Sequence, residues 1–419
     1  MNRFARFSIL GVSILVFGWV GLGHVLGRTT DNKAYKSLVV YSEVLQKIQQ
    51  DYVDEPNMHL VEAGSLHGLL ESLDSESSYF TPREYAEYKQ KIANSATGET
   101  GLNLSKRFGY IIVTSVIPDS SADKAGIRSG DIFESVAGFT TREMSVGQAK
   151  NLLAGQTGTS VKVGVIRRGK TQPESVDLSR EKLPPSKLQI QRIDNETIAI
   201  RFPTLDAGRA DEVRAKLQEF SKQGVTKVIL DLRECGRGSI PEALSIARLF
   251  VPSGNLTSLR GQTVPEQVFA ADASKVIWKG PVSILMDGTT TGPAEILAAS
   301  IANTKRGDLV GDRTFGLASE QKLITLDDGS AIILTVANYY NADGKAILEE
   351  GVAPTEIVRN ALLTDDSEDG GDDSNSPASS ATPQKEPPQL GPRPLSSEDP
   401  VLRKALDLLK NPAVVKKAA

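Results

Sequence analysis

PVSILMDGTTTGPAEILAASIANTKRGDLVGDRTFGLASEQ, residues 281–321, reads as strand, tight turn, helix, strand and glycine loop in succession. Its short, wholly apolar run at 282–286 fits a strand buried on both faces. Asp287, Gly288 and three threonines make a turn. Pro293 suits the first helical position, where its missing N–H has no partner in any case. Helix then covers 295–303, with Ile296, Leu297, Ala299 and Ile301 apolar. A second strand, 308–311, leads to a glycine loop at Thr314, Phe315 and Gly316. Such a succession aims a side chain from a helix N-terminus into a cleft.

The stretch resembles the catalytic segment of the C-terminal processing peptidases, also called tail-specific proteases. In that family the turn into the helix reads roughly S-A-S-A-S-E, and its middle serine is the nucleophile. Further on, G-K-G-[ST]-V-Q carries the lysine general base and an assisting glutamine. Laid on without gaps, Glu295 takes the family's glutamate, and Thr314, Phe315 and Gly316 take its loop. Gly292 then stands at the nucleophile position, Leu317 at the lysine and Gln321 at the glutamine. The resemblance implies a crotonase-like α/β core of a serine-type endopeptidase. Its frame is kept, both reacting groups are replaced, and no catalytic residue is expected.

Upstream, strands at 197–202 and 227–232 alternate with helices at 206–220 and 241–249. That alternation calls for right-handed crossovers around a largely parallel sheet. ILDLRECGRGSI, residues 229–240, resembles the family's L-D-L-R-N-N-P-G-G-L-L, whose glycine turn supplies N–H groups to the oxyanion hole. Arg237 takes the first glycine position and Gly238 the second. A side chain there either occludes the hole or forces positive φ on a residue poorly suited to it. Downstream, residues 326–358 match the family's closing strands, with YYNADGK before GVAP.

Residues 96–180 resemble a PDZ domain. Short strands at 102–104, 110–115, 132–136 and 161–167 alternate with turn glycines, and SADKAGIRSGDIFESVAG is the most specific part. A helix follows at 145–153. Such domains add a peptide to a sheet edge and capture its C-terminal carboxylate on backbone N–H groups. The capturing loop is Gly101-Leu102-Asn103-Leu104, where Asn103 replaces the usual glycine. Asparagine tolerates positive φ, so carboxylate capture is either retained or lost there.

Before this domain, 31–95 reads as helices. Leu38, Val39, Val40, Tyr41, Val44, Leu45 and Ile48 fall at helical spacing, and Leu60, Leu66, Leu69 and Leu70 share one side of a second helix at 59–73. LDSESSYF, residues 73–80, resembles the family's L-D-P-H-S-x-Y, ahead of a third helix near Pro82. At the start, Arg3 and Arg6 precede an apolar run over 9–26, with Arg28 after it. That length just crosses a bilayer core, and the basic flank predicts an exported body. The reading is an N-terminal membrane anchor within 1–30, with a cleaved signal and secretion as the alternative. The core occupies 181–360. An acidic, Pro- and Ser-rich linker, 361–397, lacks the apolar content to order itself. A final helix lies within 398–419, with Val401, Leu402, Leu406 and Leu409 apolar.

Composition removes other chemistries. The net charge of −4 offers no basic field for nucleic acid. The histidines are His24, His59 and His67, so the C-terminal core holds no Ser-His-Asp or Cys-His site of its own. Cys235, the sole cysteine, has no local base and forms no internal disulfide. No nucleotide fingerprint occurs, and neither cofactor nor metal is expected. Thr291 is the hydroxyl nearest Gly292, while Lys322 should face away from Gln321 along a strand. Three roles follow: a non-cleaving pseudoprotease that binds protein C-termini or assembles with an active relative, a working endopeptidase, or a structural envelope scaffold.

Overall fold

The computed structural model describes residues 33–94, 96–183, 185–358, 395 and 398–410. The expected anchor at 9–26, and all of the 361–397 linker except Leu395, lie outside them. Among the described residues no helix is long and apolar enough to cross a membrane.

The chain divides into two units, Met1–Ser65 and Leu66–Ala419. The first holds the helix Lys33–Asp51 and the start of the helix Met58–Glu71, with the Tyr41 hydroxyl 2.5 Å from Ser65 Oγ. The helical spacing is real, but of the residues sharing it only Leu70 is buried. Leu38, Val39 and Val40 are each more than half exposed, as are Leu60 and Leu69. Three consecutive residues point more than half-way round a helix, so 38–40 cannot all enter one core.

The second unit is built around a six-stranded sheet, ordered Gln189–Arg192, Thr197–Arg201, Lys227–Asp231, Val282–Met286, Asp308–Gly311 and Glu356–Ile357. Only its first pair is antiparallel. Side chains alternate across it. Ile198, Ile200, Val228, Leu230, Ile284 and Met286 pack on one face with the helices Arg209–Lys222, Ile240–Arg248 and Pro293–Asn303. Ala199, Ile229, Leu285 and Val310 point the other way, onto Val401, Leu402, Ala405 and Leu409 of the last helix, Pro400–Lys410. Being covered on both faces is why these strands read as unbroken apolar runs. The helix expected from residue 206 starts at Arg209, because Gly208 just before it sits at φ 86°, outside the helical region.

A second sheet carries Ser78–Phe80, Ala331–Tyr340, Asn255–Arg260 and Gln267–Ala270, with Ser319–Thr325 on the other edge of Ala331–Tyr340. A third sheet orders Leu102–Arg107, Tyr110–Val116, Ile132–Val136, Ser160–Ile166 and Glu174–Ser179, and wraps its own core with the helix Val146–Leu153. Leu102–Arg107 is the terminal strand of that sheet, with the helix Val146–Leu153 packed against it.

Candidate active site

Where Val282–Met286 ends, Asp287 organises the turn: its carboxylate accepts the Thr289 N–H at 2.8 Å and the Thr289 hydroxyl at 2.5 Å. The Thr290 hydroxyl donates to the Leu232 carbonyl at 3.0 Å. Gly292 then enters the helix Pro293–Asn303 at φ 55° and ψ −118°, outside the regions L side chains favour. Crowding is not the cause: a Cβ here would meet only the Gly236 carbonyl oxygen, at 3.8 Å. A strained strand-to-helix turn of this kind exposes the nucleophile of several hydrolases.

Glu295 locks the turn to the glycine loop. Its fully buried carboxylate accepts from the N–H groups of Gly292 (2.8 Å), Gly316 (2.6 Å), Leu317 (2.7 Å) and Ala318 (3.1 Å), and from the Thr314 hydroxyl (2.6 Å). Burial raises this carboxyl above the usual carboxylate range against the pull of those donors, Thr314 foremost. Gly292 and Leu317 donate to the same oxygen, so their nitrogens are no further apart than those two bonds laid end to end. The fold therefore brings together the two positions that the sequence resemblance equates with nucleophile and base. Leu317 is half-buried, and Gln321 and Lys322 are exposed on Ser319–Thr325, whose register shifts between Glu320 and Gln321.

The neighbouring turn at 234–238 closes over this site. Cys235 is fully buried, and burial pushes its thiol up to about 12. Its carbonyl accepts the Thr291 N–H at 3.0 Å. A Cβ at Gly236 would come within 2.2 Å of Thr291 Oγ1 and 2.9 Å of Ser115 Oγ, so only glycine fits between them. Arg237 does not take the positive φ its position suggested. The positive angles fall on Glu234 (φ 60°) and Gly238 (φ 134°). The Arg237 side chain instead reaches both carboxylate oxygens of Glu99.

Below the turn, Asp231 is fully buried. Burial opposes its charge, but paired with Arg233 and influenced by Arg201 its carboxyl is held below the usual range. Arg233 donates to Asp231 at 2.8 and 2.9 Å and to Asp399 at 2.8 Å. Asp399 also accepts the N–H groups of Val401 and Leu402, capping the last helix. Loss of solvent raises the Glu234 and Asp287 carboxyls.

Of the expected peptide-binding residues, Gly101 alone precedes the strand Leu102–Arg107. It holds φ 86°, and a Cβ would strike the Ser120 side chain at 2.1 Å. Asn103 needs no positive φ. It sits at a bulge within the strand and donates from Nδ2 to Ser115 Oγ at 2.6 Å. Leu104 is buried in the small domain's core rather than facing a ligand. Arg107 donates to the Phe315 carbonyl at 2.6 Å and lies over its ring. Glu99, Ser115 and Arg107 were not legible as site residues, since each acts on a partner more than a hundred residues away or through a glycine's missing side chain.

The pattern of peptidase family S41 matches residues 196–358, and that of PDZ domains matches 112–167. The chain is 28% identical to the carboxy-terminal processing protease CtpA of Bacillus subtilis, over 82% of this chain and 73% of that protein. It is 26% identical to the carboxy-terminal-processing protease of Bartonella bacilliformis, over 86% of this chain and 84% of that one. The solved photosystem II D1 C-terminal processing protease shares the fold, with a TM-score of 0.64 at 23% identity, over 78% of this chain and 94% of that one. A mixed α/β peptidase core preceded by a PDZ domain is the class these features define. The chain belongs to the C-terminal processing peptidase family.

Proposed function

We propose that this chain is a membrane-anchored, exported member of its family that binds protein C-termini without cutting them, and that it regulates or assembles with an active relative. The observation that carries this reading is the pair of side chains at the strained turn and the loop beside it. Gly292 offers no hydroxyl and Leu317 no amine, although Glu295 brings their backbones together. A serine–lysine hydrolase needs a hydroxyl to attack and a neutral amine to take its proton. Further support comes from the Gly236 carbonyl, an acceptor, which faces the place a side chain at 292 would occupy. An oxyanion needs donors there. The N–H groups of Thr291 and Gly292 are already engaged, by Cys235 and Glu295. The Cys235 thiol, buried and protonated, is no substitute nucleophile.

The preserved Glu295 frame favours a second reading, a working serine endopeptidase whose reacting groups come from elsewhere, Thr291 being the nearest hydroxyl. A fluorophosphonate probe separates the two. The proposal expects no labelling of the full chain, whereas labelling that disappears in Thr291→Ala establishes the enzyme.

A further inference from the structure

A peptide joining the free edge of Leu102–Arg107 has to lie between that strand and the helix Val146–Leu153. The chain's own residues 75–78 already stand there. Ser105, on the strand, is fully buried; its hydroxyl donates to Glu76 Oε1 at 3.3 Å and lies 3.4 Å from Ser75 Oγ. On the helix, Lys150 donates to Glu76 Oε2 at 3.2 Å, and the Gly147 N–H donates to Ser78 Oγ at 3.2 Å. The Glu76 side chain is only 9% exposed, while Lys150 is half exposed. One carboxylate thus spans the groove from strand to helix, its two oxygens divided between a hydroxyl and an ammonium. Lys106, next on the strand, is held by Glu71 at 2.9 Å and by the Met144 carbonyl at 2.9 Å.

We infer that Glu76 is an internal stand-in for an acidic side chain of the ligand, so that the groove selects C-terminal peptides carrying Asp or Glu upstream of the terminus and binds them by displacing residues 75–78. The inference rests on the C-terminus-binding reading above. The groove offers an acidic side chain the same two partners Glu76 uses. A neutral peptide that displaces Glu76 leaves Lys150 without its carboxylate, which disfavours it. Because the occupied groove must open first, apparent affinity is reduced by the fraction that is open.

The test measures binding to the full chain by fluorescence anisotropy. The probes are labelled peptides with an apolar last residue and a free carboxylate, carrying Glu, Gln or Lys at each upstream position in turn. Amidated versions serve as controls. Glu76→Gln keeps the shape of the plug and removes its charge, and should tighten binding of the best Glu peptide about 1.5-fold to fivefold, the scale of one partly exposed ion pair. In the same variant the Glu peptide should bind better than its Gln twin. Lys150→Glu should reverse the preference toward the Lys peptide. If the parent binds free but not amidated peptides, yet Glu76→Gln leaves affinity unchanged, the stand-in is refuted while C-terminal capture stands. Likewise, a Lys150→Glu variant that keeps the parent's preference removes the proposed selectivity. If neither parent nor Glu76→Gln distinguishes free from amidated peptides, the capture reading fails and takes this inference with it.

Discussion

Replacing Gly292 with alanine isolates the strain of the site turn from its chemistry. At φ 55° and ψ −118°, a residue with a Cβ leaves its favoured backbone regions, which costs about 1–3 kcal/mol. No clash adds to this, because the nearest atom to the new methyl is the Gly236 oxygen at 3.8 Å. The loss of unfolded-chain freedom offsets about 0.4–1 kcal/mol, leaving a net destabilisation of about 1–2 kcal/mol. Gly288, four residues earlier in the same turn, is the internal control. It does not hold positive φ and has nothing within 4 Å of its Cβ direction. Gly288→Ala should therefore be neutral or stabilising by up to about 1 kcal/mol. Urea unfolding, followed by the fluorescence of the buried Trp278, reads both variants. Equal stability of the two would refute the claim that position 292 is strained, and with it the idea that glycine relaxes a turn shaped for a nucleophile. Gly292→Ser should carry the same cost, so restoring the hydroxyl alone lowers stability without supplying a base.

Other consequences follow from the same geometry. Cys235, buried with its thiol near 12, should resist iodoacetamide at pH 8 in the folded chain and react fully in urea, as read by intact mass; rapid native labelling would overturn its placement. Asp231 has a depressed carboxyl, so its contribution is present above the unfolded value of about 3.9 and is lost as pH falls from there through the folded value. Acid titration of stability should therefore be shallower below about pH 4 in Asp231→Asn than in the parent, though that variant is less stable at neutral pH because Arg233 loses its partner. Deleting residues 1–28 should release the protein from alkali-washed membranes; continued sedimentation would mean a second membrane contact.

The parallel core was legible because its strands lie between two layers of side chains. Val282–Met286 is buried at every position and reads as an unbroken apolar run. The third helix, expected near Pro82, was legible too; it spans Pro82–Ala93, and the Thr81 hydroxyl accepts the Glu84 N–H at its start. Edge strands did not: Gln189–Arg192 and Gln267–Ala270 are largely exposed and lack a buried-strand pattern. The candidate site was legible where it is local, as at Gly292, Glu295 and Leu317. It was not where it depends on distant pairing, as with Arg237 and Glu99 or Glu76 and Lys150. Nor could sequence say that a bulge, rather than positive φ, accommodates Asn103.

The most direct measurement mixes the full chain with an unfolded peptide bearing a free, apolar C-terminus and follows both binding and peptide mass. Saturable binding, abolished by amidation, is expected, with the peptide recovered intact after prolonged incubation. Shortened peptide whose production is lost in Thr291→Ala would contradict the non-cleaving reading.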